Sequence, residues 1–219
     1  MILVFDLDGT LVDSARDIAD SVSELLESYD APAMATSDVV TMVGDGAPVL
    51  IARALKRSGI DPPLPEALDR YLRIYDRRFM NHTVPYDGVT ESLALALRRG
   101  PLAVLTNKPL GPTIGILDAL GLRGFFSRII GGDSTLGRKP DPAGLLSLQA
   151  LAPGEQLVMI GDSPADWRVA DAAQVPFVFA RYGFGAPKLA SATGHDRYVV
   201  DHAREIDRVI TAISESIRL

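Results

Sequence analysis

At 219 residues and 47% hydrophobic content, the chain has material for one good core with a smaller second unit. A formal charge of -6 and a pI near 5.1 are unsuited to gripping a polyphosphate backbone, so nucleic acid is not an expected partner. The absence of cysteine excludes disulfides, thiolate catalysis and cysteine-held zinc or iron–sulfur centres, and His82, His195 and His202 stand in no metal-ligand spacing.

The chain opens with a short apolar run, Ile2-Leu3-Val4-Phe5, that reads as a buried strand and ends in Asp6 and Asp8. Strand geometry projects residues i and i+2 to the same side, so these carboxylates are expected side by side, an arrangement that calls for a cation or proton between them. Gly9 permits a sharp departure of the backbone. Asp13 or Ser14 then caps a helix in which Ile18, Val22, Leu25 and Leu26 recur at three- and four-residue spacings. Helical patterns follow at about 37–43, 47–58 and 65–79, broken by Gly44-Asp45-Gly46 and a proline-rich stretch, and no strand pattern occurs between 14 and 84.

After Pro85-Tyr86-Asp87-Gly88 the style changes. Short apolar strands at 102–105, 128–130, 157–160, 177–180 and 198–200 alternate with helical patterns near 89–99, 113–120, 142–151, 165–173 and 202–217. Such alternation predicts an α/β fold: a Rossmann-like parallel sheet with helices on both faces. Residues 1–13 and 85–219 form this core, and residues 14–84 form an inserted all-helical cap. No apolar run reaches the roughly 18–20 residues of a membrane span, and no leader is expected before a strand that starts at the second residue. The protein is therefore expected to be soluble and cytoplasmic, with no membrane partner.

Ligands of open parallel sheets bind beyond the carboxyl ends of the strands. There this chain places Asp6 and Asp8, then Thr106-Asn107-Lys108, then Asp133 followed by Lys139, and finally Asp162-Ser163 with Asp166 four residues after Asp162. Clustered carboxylates without histidine or thiolate suit Mg²⁺ rather than zinc. A carboxylate not consumed by the metal can attack phosphorus, and Thr106, the amides near Asn107, Lys139 and the metal can stabilise the transferring phosphoryl group. Asp8, two residues from that nucleophile, is placed to protonate the leaving alcohol and activate water. Asp166 could equally cap the following helix, and Asp133 is a candidate for orienting Lys139.

Asp6-Leu7-Asp8-Gly9-Thr10, Leu105-Thr106-Asn107, Lys139-Pro140 and Gly161-Asp162-Ser163-Pro164-Ala165-Asp166 resemble, in order, the four motifs of the haloacid dehalogenase superfamily. The resemblance implies Asp6 as nucleophile and Asp8 as general acid and base. It also implies Thr106 on the phosphoryl group, Lys139 as charge neutraliser, and Mg²⁺ on Asp6, Asp162 and the backbone carbonyl of Asp8. Asp166 would hold metal-bound water or orient Lys139. Within the superfamily the chain is most similar to bacterial phosphoglycolate phosphatases, through residues 8–14, Thr106-Asn107-Lys108-Pro109, Ile130-Gly131-Gly132-Asp133, Val43-Gly44-Asp45-Gly46-Ala47 and Arg53-Ala54-Leu55. It departs from them at Pro164-Ala165, at Trp167, and at Gln174, where a glycine is usual.

The expected activity is Mg²⁺-dependent hydrolysis of a small phosphorylated metabolite, with 2-phosphoglycolate as the best single substrate. Thr106, Asn107 and Lys108 from the core, and Gly44, Asp45, Gly46 and Arg53 from the cap, are the candidate substrate contacts. Another sugar or nucleotide phosphatase and a phosphosugar mutase are the enzymatic alternatives. A phosphonatase would use a cap lysine, for which Lys56 is the sole candidate in 14–84. A binding module without turnover would not need Asp6, Asp8, Lys139 and Asp162 together. A monomer or homodimer is expected.

Overall fold

The computed structural model describes residues 1–189 and 198–217; His195 lies outside them. Strands β1 (Ile2–Phe5), β4 (Leu102–Leu105), β5 (Phe126–Ile130), β6 (Leu157–Gly161), β7 (Phe177–Ala180) and β8 (Val199–Val200) form one parallel sheet in the order β5-β4-β1-β6-β7-β8. Alternation along each strand divides the core. Leu3, Phe5, Leu102, Val104, Val158 and Ile160 pack on one face, and Ile2, Val4, Ala103, Leu105, Leu157 and Met159 on the other. Both faces are covered, which is why these strands read as unbroken apolar runs.

Helices α5 (Val89–Ala96), α6 (Leu110–Ala119) and α10 (Ile206–Ile217) supply the first cluster through Val89, Leu93, Ile116, Leu117 and Ile210. Helices α7 (Ala143–Ser147), α8 (Pro164–Ala172) and α9 (Ala186–Leu189) supply the second through Leu145, Val169 and Ala186, and Trp167 packs against it. The chain runs outward from β1 to β4 and β5, then returns to β6 on the other side of β1. The crevice at this reversal lies beyond the carboxyl ends of β4, β1 and β6.

Helices α1 (Ala15–Glu27), α2 (Thr36–Val40), α3 (Ala47–Ser58) and α4 (Leu64–Asp76) bury a separate cluster that includes Ile18, Val22, Leu25, Leu26, Ile51 and Tyr75. Several elements differ from their expected bounds. The pattern at 37–43 yields only the short α2, and α6 begins three residues early because Asp133 accepts the Leu110 N–H at 2.9 Å. Asp133 thus caps a helix and does not touch Lys139. The helix near 142–151 tightens into a 3₁₀ turn over Leu148–Leu151. Gln174 sits at φ 54°, a left-handed backbone that explains why glycine is usual there.

The two chain crossings between sheet and helical unit are joined in a way the apolar pattern did not indicate. Strands β2 (Val12–Asp13) and β3 (Val84–Pro85) pair antiparallel, so the outgoing and returning chains form one ribbon. Beside it, the buried Asp17 accepts hydrogen bonds on Oδ2 from the His82 N–H (3.0 Å), the Thr83 N–H (2.8 Å) and the Thr83 hydroxyl (2.7 Å). Asp17→Ala strands three donors, and we expect it to lower unfolding free energy by about 2–4 kcal/mol in urea titrations. A loss below about 1 kcal/mol would contradict this role for Asp17.

Candidate active site

Asp6 follows β1, Thr106 follows β4 and Asp162 follows β6, so three adjacent strands deliver them to one place. Asp6 Oδ1 accepts the Leu7 N–H at 2.8 Å and lies 2.8 Å from Lys139 Nζ. Among the described residues, Oδ2 has no protein donor. The same ammonium reaches Asp166 Oδ1 at 2.5 Å. Asp166 Oδ2 accepts the Ser163 N–H (3.0 Å) and hydroxyl (2.6 Å), so this residue both caps α8 and holds Lys139. Asp162 accepts from the Thr10 hydroxyl (3.2 Å) and the Gly185 N–H (2.7 Å). Gly9, at φ 87°, packs so closely against Asp162 that any side chain there would collide with it.

Oxygens of Asp6, Asp162 and Asp166 lie within 4.8 Å of one another, all buried. Burial raises the Asp6 carboxyl to about 6, with Asp166 adding to the shift and Lys139 opposing it. Burial, then Asp166 and Asp6, push Asp162 well above the ordinary carboxylate range. Burial works against the Lys139 charge, but Asp166 and Asp6 more than offset it and hold the ammonium above the usual lysine range. One buried cation is insufficient for three buried carboxylates, and the all-oxygen donor set suits a hard divalent cation.

Asp8 follows just beyond the end of β1 and stays near enough to Asp6 for its charge to push that carboxyl further up. The Asp8 carboxylate accepts from the Ser14 hydroxyl (2.6 Å) and from Lys108 Nζ at 3.0 and 2.9 Å. Ser14 therefore serves Asp8 rather than the start of α1, where Asp13 takes the Ala15 N–H. The Thr106 hydroxyl accepts the Lys108 N–H at 3.3 Å and keeps its own proton for another acceptor. Asn107 Nδ2 donates to the carbonyls of Gly44 (2.9 Å) and Lys139 (3.0 Å), and its buried Oδ1 has no partner among the described residues.

A cavity of about 60 Å³ joins these groups, walled by Asp6, Asp8, Thr106, Asn107, Lys108 and Asp162 from the sheet side. The helical unit contributes Ile18, Val43, Gly44, Gly46, Leu50, Tyr71 and Tyr75. Gly44 and Gly46 thus line it as expected. Asp45 and Arg53 do not: Arg53 is bound to Asp45 (2.7 Å) and to the Met42 carbonyl (3.0 Å), and its side chain is 44% exposed. Lys56 lies on the exposed side of α3, outside the cavity. Tyr71 and Tyr75 went unnoticed in the sequence because their spacing on α4 matches any core stripe.

The family model of haloacid dehalogenase-like hydrolases matches residues 3–180. The chain belongs to the haloacid dehalogenase-like hydrolases. It is an enzyme, and relatives of known name are phosphatases. A phosphoglycolate phosphatase of Pseudomonas syringae pv. tomato is 41% identical over 84% of this chain and 70% of its own length. One from Photobacterium profundum is 35% identical over 94% of both. The crystal structure of a predicted phosphoglycolate phosphatase from Haemophilus somnus superposes with a TM-score of 0.86 at 31% identity, covering 95% of this chain and 97% of the other. Among the described residues no helix is long and apolar enough to cross a membrane.

In this hydrolase, Asp6 and Asp162 hold protons more readily when folded than when unfolded. Without metal they stabilise the fold at low pH, and that contribution is lost as pH rises through about 6 for Asp6, with Asp162 shifted in the same direction. A divalent cation replaces those protons. It should therefore raise the melting temperature, relative to chelator, more at about pH 8 than at about pH 5. Equal shifts at both pH values would contradict a metal site on these carboxylates.

Proposed function

We propose that this protein is a Mg²⁺-dependent phosphomonoesterase that works through a phosphorylated Asp6, with 2-phosphoglycolate as its substrate. The observation that carries the reading is Asp6 itself. Its Oδ1 is held by Lys139 and the Leu7 amide, which leaves Oδ2 free beside a small cavity that Thr106, Asp8 and Asp162 also reach. Asp6, Asp162 and the Asp8 carbonyl would hold Mg²⁺, with Asp166 alongside, and the ion would supply positive charge to the phosphoryl oxygens.

In the first step an Asp6 oxygen bonds to phosphorus as the bond to the leaving oxygen breaks, and Asp8 gives that oxygen its proton. Thr106 donates its hydroxyl hydrogen to a phosphoryl oxygen, and Lys139 offsets the charge that Asp6 shares with phosphate. In the second step water bonds to phosphorus, its proton goes to Asp8, and the bond to Asp6 breaks. The helical unit over residues 14–84 acts as a cap that shields the site, with Asn107 tying the Gly44 carbonyl to the core. The names of the relatives support phosphoglycolate, and the small cavity suits a two-carbon leaving group better than a hexose.

The test is phosphate release from 2-phosphoglycolate, hexose phosphates, nucleotides and pyrophosphate, with and without Mg²⁺. Activity should need the metal and favour phosphoglycolate; preference for hexose phosphates would reject the substrate. Asp6→Asn should lose at least about 10³-fold in turnover. Near-normal turnover by that variant would remove Asp6 as nucleophile.

A further inference from the structure

One wall of the cavity carries donors given no contact with the transferring phosphoryl group, although one of them, Lys108, holds Asp8. The Lys108 side chain is only 6% exposed, and its Nζ lies 4.5 Å from the centre of the Tyr75 ring. Asp8 is the only carboxylate it reaches among the described residues. Tyr75 enters from α4 of the helical unit and lines the same cavity, yet its hydroxyl is buried without a hydrogen-bond partner among the described residues. A buried donor left unpaired is costly, so a ligand atom that accepts its hydrogen recovers that cost. Burial holds the Tyr75 phenol well above its ordinary range, with Asp8 and Asp17 adding to the shift, so the group stays a donor. Lys108 and Tyr75, in contact through ammonium and ring and with the phenolic O–H unused, therefore line one cavity together with apolar Ile18, Val43 and Leu50.

That pairing selects a ligand. A neutral alcohol or sugar leaves the ammonium with nothing better than Asp8, whereas a carboxylate takes a charge-assisted bond from Lys108 and the phenolic hydrogen from Tyr75. The cavity's volume of about 60 Å³ has space for on the order of four to six water-sized groups, which suits a short leaving group. Resting on the phosphomonoesterase reading above, we propose that Lys108 and the Tyr75 hydroxyl are the specificity-determining pair, binding a carboxylate on the carbon next to the ester oxygen. The substrate class is a short phosphorylated hydroxy acid. Arg53, held by Asp45 and the Met42 carbonyl, has no part in this recognition.

The experiment compares 2-phosphoglycolate with 2-hydroxyethyl phosphate, in which a hydroxymethyl group replaces the carboxylate. Turnover and KM are measured for the wild type, Lys108→Met and Tyr75→Phe, and the readout is the ratio of kcat/KM for the two esters. The wild-type ratio should exceed about 10², because the analogue lacks the charge that these buried donors would bind. Lys108→Met should bring the ratio to within about threefold of one, and Tyr75→Phe should lower it about tenfold, chiefly through KM. If either folded variant keeps the wild-type ratio, the proposed pair is wrong. Should Lys108→Met fail to fold, Tyr75→Phe carries the test, since it removes one unpartnered oxygen. A wild-type ratio near one would overturn both this pair and the phosphoglycolate assignment while leaving the phosphatase reading standing. Failure to release phosphate from either ester or from p-nitrophenyl phosphate would reject the phosphatase reading itself.

Discussion

The ammonium of Lys139 lies between the carboxylates of Asp6 and Asp166, and Asp162 completes a buried acidic cluster around it. Each carboxylate is costly to bury, and one lysine does not neutralise three. What makes the arrangement tenable is the density of fixed donors: the Leu7, Ser163 and Gly185 amides and the Thr10 and Ser163 hydroxyls. These donors exist only where strand ends and a helix start converge, at the reversal of strand order beside β1. The chemistry and the topology are thus one constraint. The remaining negative charge prepares the site for a cation and for a substrate that brings its own metal-binding oxygens.

The same economy governs the junction of the two units. Asp17 uses one oxygen to collect three donors from the returning chain, so the ribbon of β2 and β3 and the first turn of α1 are tied together. Asn107 links Gly44 of the helical unit to the backbone of Lys139, so the loop at the cavity and the buried lysine share one amide.

Much of this was legible in the sequence, for definite reasons. Strands buried on both faces must be apolar throughout, so β1, β4, β6 and β7 stood out, and polar residues at their ends had nowhere to go but the shared crevice. Asp6, Thr106, Lys139 and Asp162 came together accordingly. What was hidden depends on tertiary placement. The Val12–Asp13 and Val84–Pro85 pairing is too short to leave a periodic signal. Asp17 looked like an ordinary first-turn acid, and Tyr75 like any buried aromatic on an amphipathic helix. Arg53 had the chemistry for a carboxylate, but the neighbouring Asp45 claims it first.

The central claim is that Asp6 attacks phosphorus, rather than merely binding metal while water attacks. The most direct measurement is the stereochemical course at phosphorus, using a phosphorothioate ester made chiral with oxygen isotopes and hydrolysed in isotopically labelled water. Two in-line displacements, the first by Asp6, predict net retention of configuration. Inversion would mean a single displacement by water and would contradict the account.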